Sequence, residues 1–161
     1  MTEDQRSALT HVDARGEARM VDVSAKAVTV RTATASGRLV TTPAVVALLR
    51  GEGVPKGDAL AVARIAGIQA AKRTPDLVPL CHPVAIHAVT VDLEVTDDGV
   101  AIVATVRTAD RTGVEMEALT CVAVAGLTLV DMVKAVDRSA ASTDIRVEEK
   151  SGGRSGTWRR A

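Results

Sequence analysis

Between residues 84 and 109 the chain alternates apolar and polar positions twice. VAIHAVTVDLEV (84–95) alternates, TDDG offers a turn, and VAIVATVRTA (100–109) returns. A period of two sends successive side chains to opposite faces of a strand, so these runs predict a β-hairpin. Residues 27–40, AVTVRTATASGRLV, are rich in Val and Thr and partly alternating, which predicts another strand. Thr42 as N-cap and Pro43 at the first helical position open a short helix that Gly51 stops. VPKGD then turns the chain into a helix over 58–73, opened by an Asp58 cap and closed on two cations. Its Ala59, Ala63, Ala66, Gly67 and Ala70 permit close packing. A long helix follows over 113–137, with acids at its start, and a last strand over 143–150. The order β, α, α, β, β, α, β predicts an α+β fold, a ferredoxin-like split βαββαβ sandwich with an additional helix.

Length adds that one domain is expected, placed at 20–156 between a flexible segment 1–19 and a tail 157–161. Twenty basic and twenty acidic residues cancel, so any anion site must come from local clustering. Two cysteines do not make a disulfide framework, and reduced thiols fit a cytoplasmic protein. The first twenty residues hold no apolar signal region, and no stretch reaches the roughly 20 apolar residues of a membrane span without a charge or breaker. The chain has no Phe, no Tyr and one Trp, Trp158. A single-strand nucleic-acid binder normally stacks bases on rings, so that class is disfavoured.

Four stretches carry candidate chemistry. In PLCHP (79–83) each proline biases its predecessor away from helix, so Val78 and His82 are expected in an extended, stiff segment. Cys81 and His82 then point to opposite faces, which argues against a Cys–His nucleophile pair. A zinc site from Cys81, His82, His87 and Cys121 lacks any standard ligand spacing. What remains is either a structural pair on a strand lead-in or a rigidly aimed acid–base imidazole. On the long helix Glu117 and Asp131 stand 14 residues apart, about 40° around the axis, and Lys134 neighbours Asp131. These charges are either a solvated surface pair or an acid–base couple tuned by burial. Lys56, at a turn before a helix N-terminus, is placed to meet an anion. KSGGRSG (150–156) is either a second anion loop or a solvated tail.

The stretches MVDVSAKAVTVR, KGDALAVARIAGIQAAKRTPDLVPLCHP, TGVEMEALTCVAVAGLTLVDMVKAV and KSGGRSG, from about Met20 to Gly156, resemble the cyclic pyranopterin monophosphate synthases of molybdenum cofactor biosynthesis, the MoaC family. The resemblance implies a reaction: a 3′,8-cyclo-7,8-dihydro-GTP rearranges to cyclic pyranopterin monophosphate, and pyrophosphate leaves. It implies Asp131, Lys134 and Lys56 as catalytic residues. It implies substrate contacts at Leu80, Cys81, His82, Met116 and Glu117, with Glu115, Lys26, Arg31, Arg73 and Lys150 in matching motifs. Nothing carries over onto His87. It further implies a homohexamer built as a trimer of dimers with interfacial sites, no metal site and no resident cofactor. Magnesium would then come only with the substrate triphosphate. Neither nucleic acid nor membrane is an expected partner. The rival from another class is a ferredoxin-like small-molecule-binding regulatory module, which leaves the Lys56, Asp131 and Lys134 pattern without a purpose.

Overall fold

A computed structural model describes residues 11–13, 15–51 and 53–161. Any expectation about residues 1–10 lies outside the described residues. The strands are β1 (Thr29–Val40), β2 (Ile86–Val95), β3 (Gly99–Asp110), β4 (Ala141–Ser151) and a short β5 (Trp158–Arg159). The helices are α1 (Pro43–Arg50), α2 (Ala59–Ala71), α3 (Thr74–Leu77) and α4 (Glu115–Val133). The sheet runs β2-β3-β1-β4-β5, and each neighbouring pair is antiparallel. The first four strands have the ferredoxin-like arrangement, with β1 and β3 central. α3 and β5 were not legible as patterns: one is a four-residue turn of helix, the other two residues of edge strand.

Burial follows the strand alternation. Ala33, Ala35, Gly37 and Leu39 of β1, with Val100, Ile102, Ala104 and Val106 of β3, turn inward. α2 and α4 pack against each other; α4 covers β1, β3 and β4, while α2 covers β2. In a core without rings, small residues set these distances. A Cβ on Gly37 would lie 2.6 Å from Val122 Cγ1, and one on Gly67 would lie 3.0 Å from the Cys121 carbonyl oxygen. Cys121 is buried in that helix contact, and burial pushes its thiol up to about 12, so it acts as a small hydrophobe.

Contrary to the sequence expectation, α4 is long and apolar enough to cross a membrane by length and composition. Its apolar side instead fills the core through Ala118, Val122, Ala125, Leu129 and Val133. The helix also ends sooner than its apolar pattern suggested, with Lys134 as C-cap. Asp137 directs the turn beyond it. This buried carboxylate accepts from the Ser139 N–H (2.8 Å) and Oγ (2.6 Å), from Thr41 Oγ1 (2.8 Å) and from the Thr42 N–H (3.0 Å). It thereby ties the exit of α4 to the start of α1. Thr42 is the N-cap residue of α1 as expected, but its side chain makes no capping bond. Asp58 caps α2 as expected, accepting from the Ala61 N–H at 2.9 Å.

Candidate functional site

The structure divides the predicted residues between two places on α4. Near its N-terminus a cavity of about 650 Å³ opens beside the PLCHP stretch. Leu80, Cys81 and His82 form one wall, Glu115, Met116 and Glu117 another, and Lys26 and Lys150 complete the charged lining. Val78 is extended, as expected, but the chain turns at Pro79 and Leu80. Pro79 pre-sets a turn in which the Cys81 N–H donates to the Val78 carbonyl at 3.0 Å. Cys81 and His82 therefore reach the same cavity rather than opposite faces, which corrects the alternation expected of an extended strand.

His82 is aimed. Its Nε2 lies 2.6 Å from the Val21 carbonyl oxygen, which can only accept, so Nε2 carries a proton and the neutral ring keeps its lone pair on Nδ1. That bond also brings Val21 and Val23 into the cavity wall. Glu117 is the buried carboxyl of the site, with 3% of its surface exposed. Burial pushes its pKa up, against a lowering from its own backbone N–H, and the nearby Glu115 charge raises it further. The Cys81 thiol is also pushed up, by burial first and then by the Glu117 charge. It is a thiol held neutral beside a carboxyl, unlike an activated nucleophile.

Arg31 and the 152–155 loop adjoin the cavity. Arg31 Nε donates to the Asp110 carbonyl at 2.9 Å, and Arg31 shares a smaller pocket of about 130 Å³ with Lys150, Gly152 and Ser155. Gly152 and Gly153 hold left-handed φ angles of 91° and 71°. A Cβ on Gly152 would fall 2.1 Å from the Val30 carbonyl oxygen, so the loop closes onto β1 only with glycine there. Lys150 Nζ donates to Ser155 Oγ, which folds the loop back over β4. The 150–156 stretch thus bounds a small pocket whose walls bring Arg31 and Lys150 beside Glu115.

The second place is the C-terminal end of α4. Asp131 Oδ2 accepts from Lys56 Nζ at 2.7 Å, and Asp131 Oδ1 pairs with Lys134 Nζ at 2.6 Å. Each carboxylate oxygen meets its own ammonium. Hydrogen bonds from Lys134 and Lys56 hold the Asp131 carboxyl down at about 2, although its side chain is 53% exposed. The turn that precedes α2 delivers Lys56 from 75 residues away in sequence. This pairing was not readable from helix spacing, which linked only Asp131 and Lys134.

One predicted residue, Arg73, stands apart, and so does His87, onto which the resemblance carries nothing. Arg73 is exposed between α2 and α3, outside the lining of the cavity. His87 sits at the bulge in β2, where its Nδ1 accepts from the Ala109 N–H at 3.3 Å. Conversely, the cavity wall includes His11 and Trp158, which the sequence reading placed in flexible ends. The signal for Trp158 is its singularity as the one Trp in a chain without Phe or Tyr.

These motifs have close counterparts in known proteins. A cyclic pyranopterin monophosphate synthase of Streptomyces coelicolor is 68% identical over 159 residues, covering 99% of this chain and 94% of the relative. The protein of that name from a Nocardioides species is 70% identical over 160 residues, 98% of each chain. Cyclic pyranopterin monophosphate synthase 2 of Mycobacterium tuberculosis is 61% identical over 158 residues, 98% of this chain and 95% of the relative. The MoaC family profile matches residues 20–153, a span that takes in the Lys56–Asp131–Lys134 cluster and the cavity residues from Lys26 to Lys150. With both places inside that span, the chain belongs to the MoaC family.

Proposed function

We propose that the protein is a cyclic pyranopterin monophosphate synthase, an enzyme of molybdenum cofactor biosynthesis. Its substrate is 3′,8-cyclo-7,8-dihydro-GTP, its products cyclic pyranopterin monophosphate and pyrophosphate. The names of the relatives point to this activity, and the observation that carries it here is the Lys56–Asp131–Lys134 cluster. A non-catalytic regulatory module gives that cluster no task.

The residue chemistry suits the two halves of the reaction. In phosphoryl transfer, a hydroxyl oxygen of the substrate attacks the α-phosphorus, the α–β bridging P–O bond breaks, and pyrophosphate departs with the bond's electrons. The hydroxyl proton passes to a base. Closing a cyclic phosphate in this way makes the enzyme a phosphorus–oxygen lyase. Lys26, Arg31 and Lys150 neutralise the triphosphate, which is what positioning and electrostatic stabilisation require. In the ring rearrangement, protons move on and off nitrogen. Asp131, ionised and bonded to both ammoniums, orients Lys56 and Lys134 as proton donors. His82 Nδ1 and the Glu117 carboxyl supply a base and a raised-pKa acid at the other end. The rearrangement leaves the overall oxidation state unchanged, so no redox cofactor takes part, and magnesium enters only as the counter-ion of the triphosphate.

The two ends stand about 21 Å apart along α4, four helical turns at roughly 1.5 Å per residue. One small nucleotide does not reach both within one protomer. A site assembled across a two-fold interface joins the cavity of one subunit to the lysine cluster of the next. A dimer of this kind is the unit of the proposed homohexamer, a trimer of dimers, and the two free thiols fit a cytoplasmic location. Lys56 and Asp131 make their 2.7 Å contact within one protomer, which supports drawing both from the same subunit.

Pyrophosphate release from the cyclised nucleotide by the wild-type protein tests the activity, and its absence would remove the reading. Mixing His82→Ala with Asp131→Ala protomers after dissociation tests the shared site. Activity returns if those residues come from different subunits. No recovery in confirmed mixed oligomers places them in one.

A further inference from the structure

The chain's one tryptophan, in a sequence without Phe or Tyr, is not in its core. Trp158 stands in β5, directly opposite Lys150 of β4. Opposed residues of an antiparallel pair project from the same face of the sheet. The indole and the ammonium accordingly reach the same cavity, and both line it.

The ring is held in place from several sides. The Arg160 N–H donates to the Glu148 carbonyl at 2.8 Å, and Arg160 Nε donates to the Val147 carbonyl at 2.8 Å. Arg159 pairs with Glu149 at 3.1 Å. The Arg160 guanidinium lies 5.6 Å from the indole centroid, at cation–π distance. Even so, the indole remains 44% exposed. If Trp158 served only to glue β5 to the sheet, its apolar surface would be covered. A rigidly held ring, half open to a polar cavity and beside a lysine, has the form of a stacking surface.

We propose that Trp158 is the ring-stacking platform of the cavity, taking the aromatic heterocycle of a nucleotide whose phosphates Lys150 and Lys26 neutralise. The ring-plus-phosphate class follows from the Trp158–Lys150 pairing; the choice of a cyclised GTP as that nucleotide rests on the synthase reading. Trp158 lies outside the span 20–153 matched to the family, so the family assignment does not supply this role.

Trp158 is also the only tryptophan, so emission excited at 295 nm reports on it alone. GTP should quench that emission saturably, and tripolyphosphate, which has the charge without the ring, should not. Equal responses to the two, or no response to GTP while equilibrium dialysis shows it bound, would overturn the platform. Kinetics supply a second readout. Trp158→Ala should raise KM for the cyclised nucleotide by about tenfold, the scale of one lost stacking contact, with kcat little changed. Trp158→Phe should recover most of that loss. An unchanged KM in the alanine variant, or no recovery with phenylalanine, overturns the proposal. Ring-dependent quenching without any pyrophosphate release removes the synthase reading and keeps the platform. Release without ring-dependent quenching does the reverse.

Discussion

Glu117 and Asp131 occupy nearly the same side of α4, yet burial pushes the Glu117 carboxyl up while two ammonium groups hold the Asp131 carboxyl down at about 2. Asp137, just past the helix, separates the causes. It too is largely covered, with 6% of its surface exposed, yet its carboxyl is held down at about 2 by Ser139, Thr41 and Thr42. Burial alone does not set the direction. What decides is whether donors are buried with the carboxylate. Asp137 has four, Asp131 meets two ammoniums in partial solvent, and Glu117 has only its own backbone N–H to oppose desolvation. The three acids suit three tasks: a locked joint, a fixed anion that orients lysines, and a carboxyl that holds its proton more tightly than usual.

The largest effect is expected at the exposed cluster. Lys56→Ala and Lys134→Ala should each lower turnover by about 10²-fold or more, because each removes a proton relay and a charge aligned by Asp131. Their melting temperatures should stay close to wild type, since exposed ion pairs contribute little to folding. Near-wild-type pyrophosphate release in either variant, measured with a coupled assay, would show that the cluster is a surface pair after all.

That ambiguity was already visible in the sequence, and it shows where one-dimensional reading stops. The strands, α2 and α4 were legible because the period-two and helical patterns, the Asp58 cap and the turn residues all agreed. Asp131 and Lys134 were legible as neighbours because they share a helix. Lys56 was recognisable as a site residue through the family motif, but its contact with Asp131 is tertiary, and no spacing rule encodes it. PLCHP reads as extended in the sequence but turns in the structure, because proline favours a turn as readily as a strand lead-in. β5 could not be read at all, since two residues carry no period. Its order comes from the bonds Arg159 and Arg160 make to β4.

Glu117→Gln gives the next largest effect and has two readouts of opposite sign. Glutamine copies the protonated carboxyl but cannot exchange a proton, so turnover should fall by about tenfold. Stability at neutral pH should rise, with Tm higher by about 2 °C or more, because the variant no longer buries a charge. The sign follows from linkage. A carboxyl raised in the folded state destabilises the fold once pH exceeds the folded value, and the penalty disappears below the unfolded value near pH 4. The Tm difference should therefore close on acidification. A variant less stable than wild type at pH 7 would contradict an uncompensated carboxylate.

Asp137→Asn should affect stability and leave turnover untouched. One oxygen receives the Thr41 hydroxyl and the Thr42 N–H and the other the Ser139 hydroxyl and N–H, so either orientation of the amide sets its NH2 against a backbone N–H that can only donate. Tm should fall by about 5–10 °C at neutral pH. Here the linkage runs the other way. A depressed carboxyl contributes stability above its unfolded value near 3.9, and that contribution fades as pH falls toward about 2. Wild type should lose stability across that window, and the asparagine variant should be flatter there. Parallel pH profiles would mean that the Asp137 bonds do not govern acid sensitivity.

Cys81→Ser should have the smallest effect on turnover, and it probes the same electrostatics from the other partner. The thiol faces the cavity, but burial and the Glu117 charge both favour its neutral form, so it offers no thiolate at neutral pH. Serine keeps the shape and a hydroxyl in its place, and activity should remain within about threefold of wild type if the role is packing. Loss of turnover in a folded variant, or a substrate fragment trapped on Cys81, would instead make the sulfur a nucleophile. The coupling to Glu117 can be measured directly. Cys121 is buried and pushed up to about 12, so alkylation of the native protein reads Cys81. The pH at which that alkylation reaches half its maximal rate should shift downward in Glu117→Gln, because a neighbouring negative charge has been removed. No shift would mean that burial alone raises the thiol, and that the carboxyl already carries its proton over the range in which Cys81 titrates.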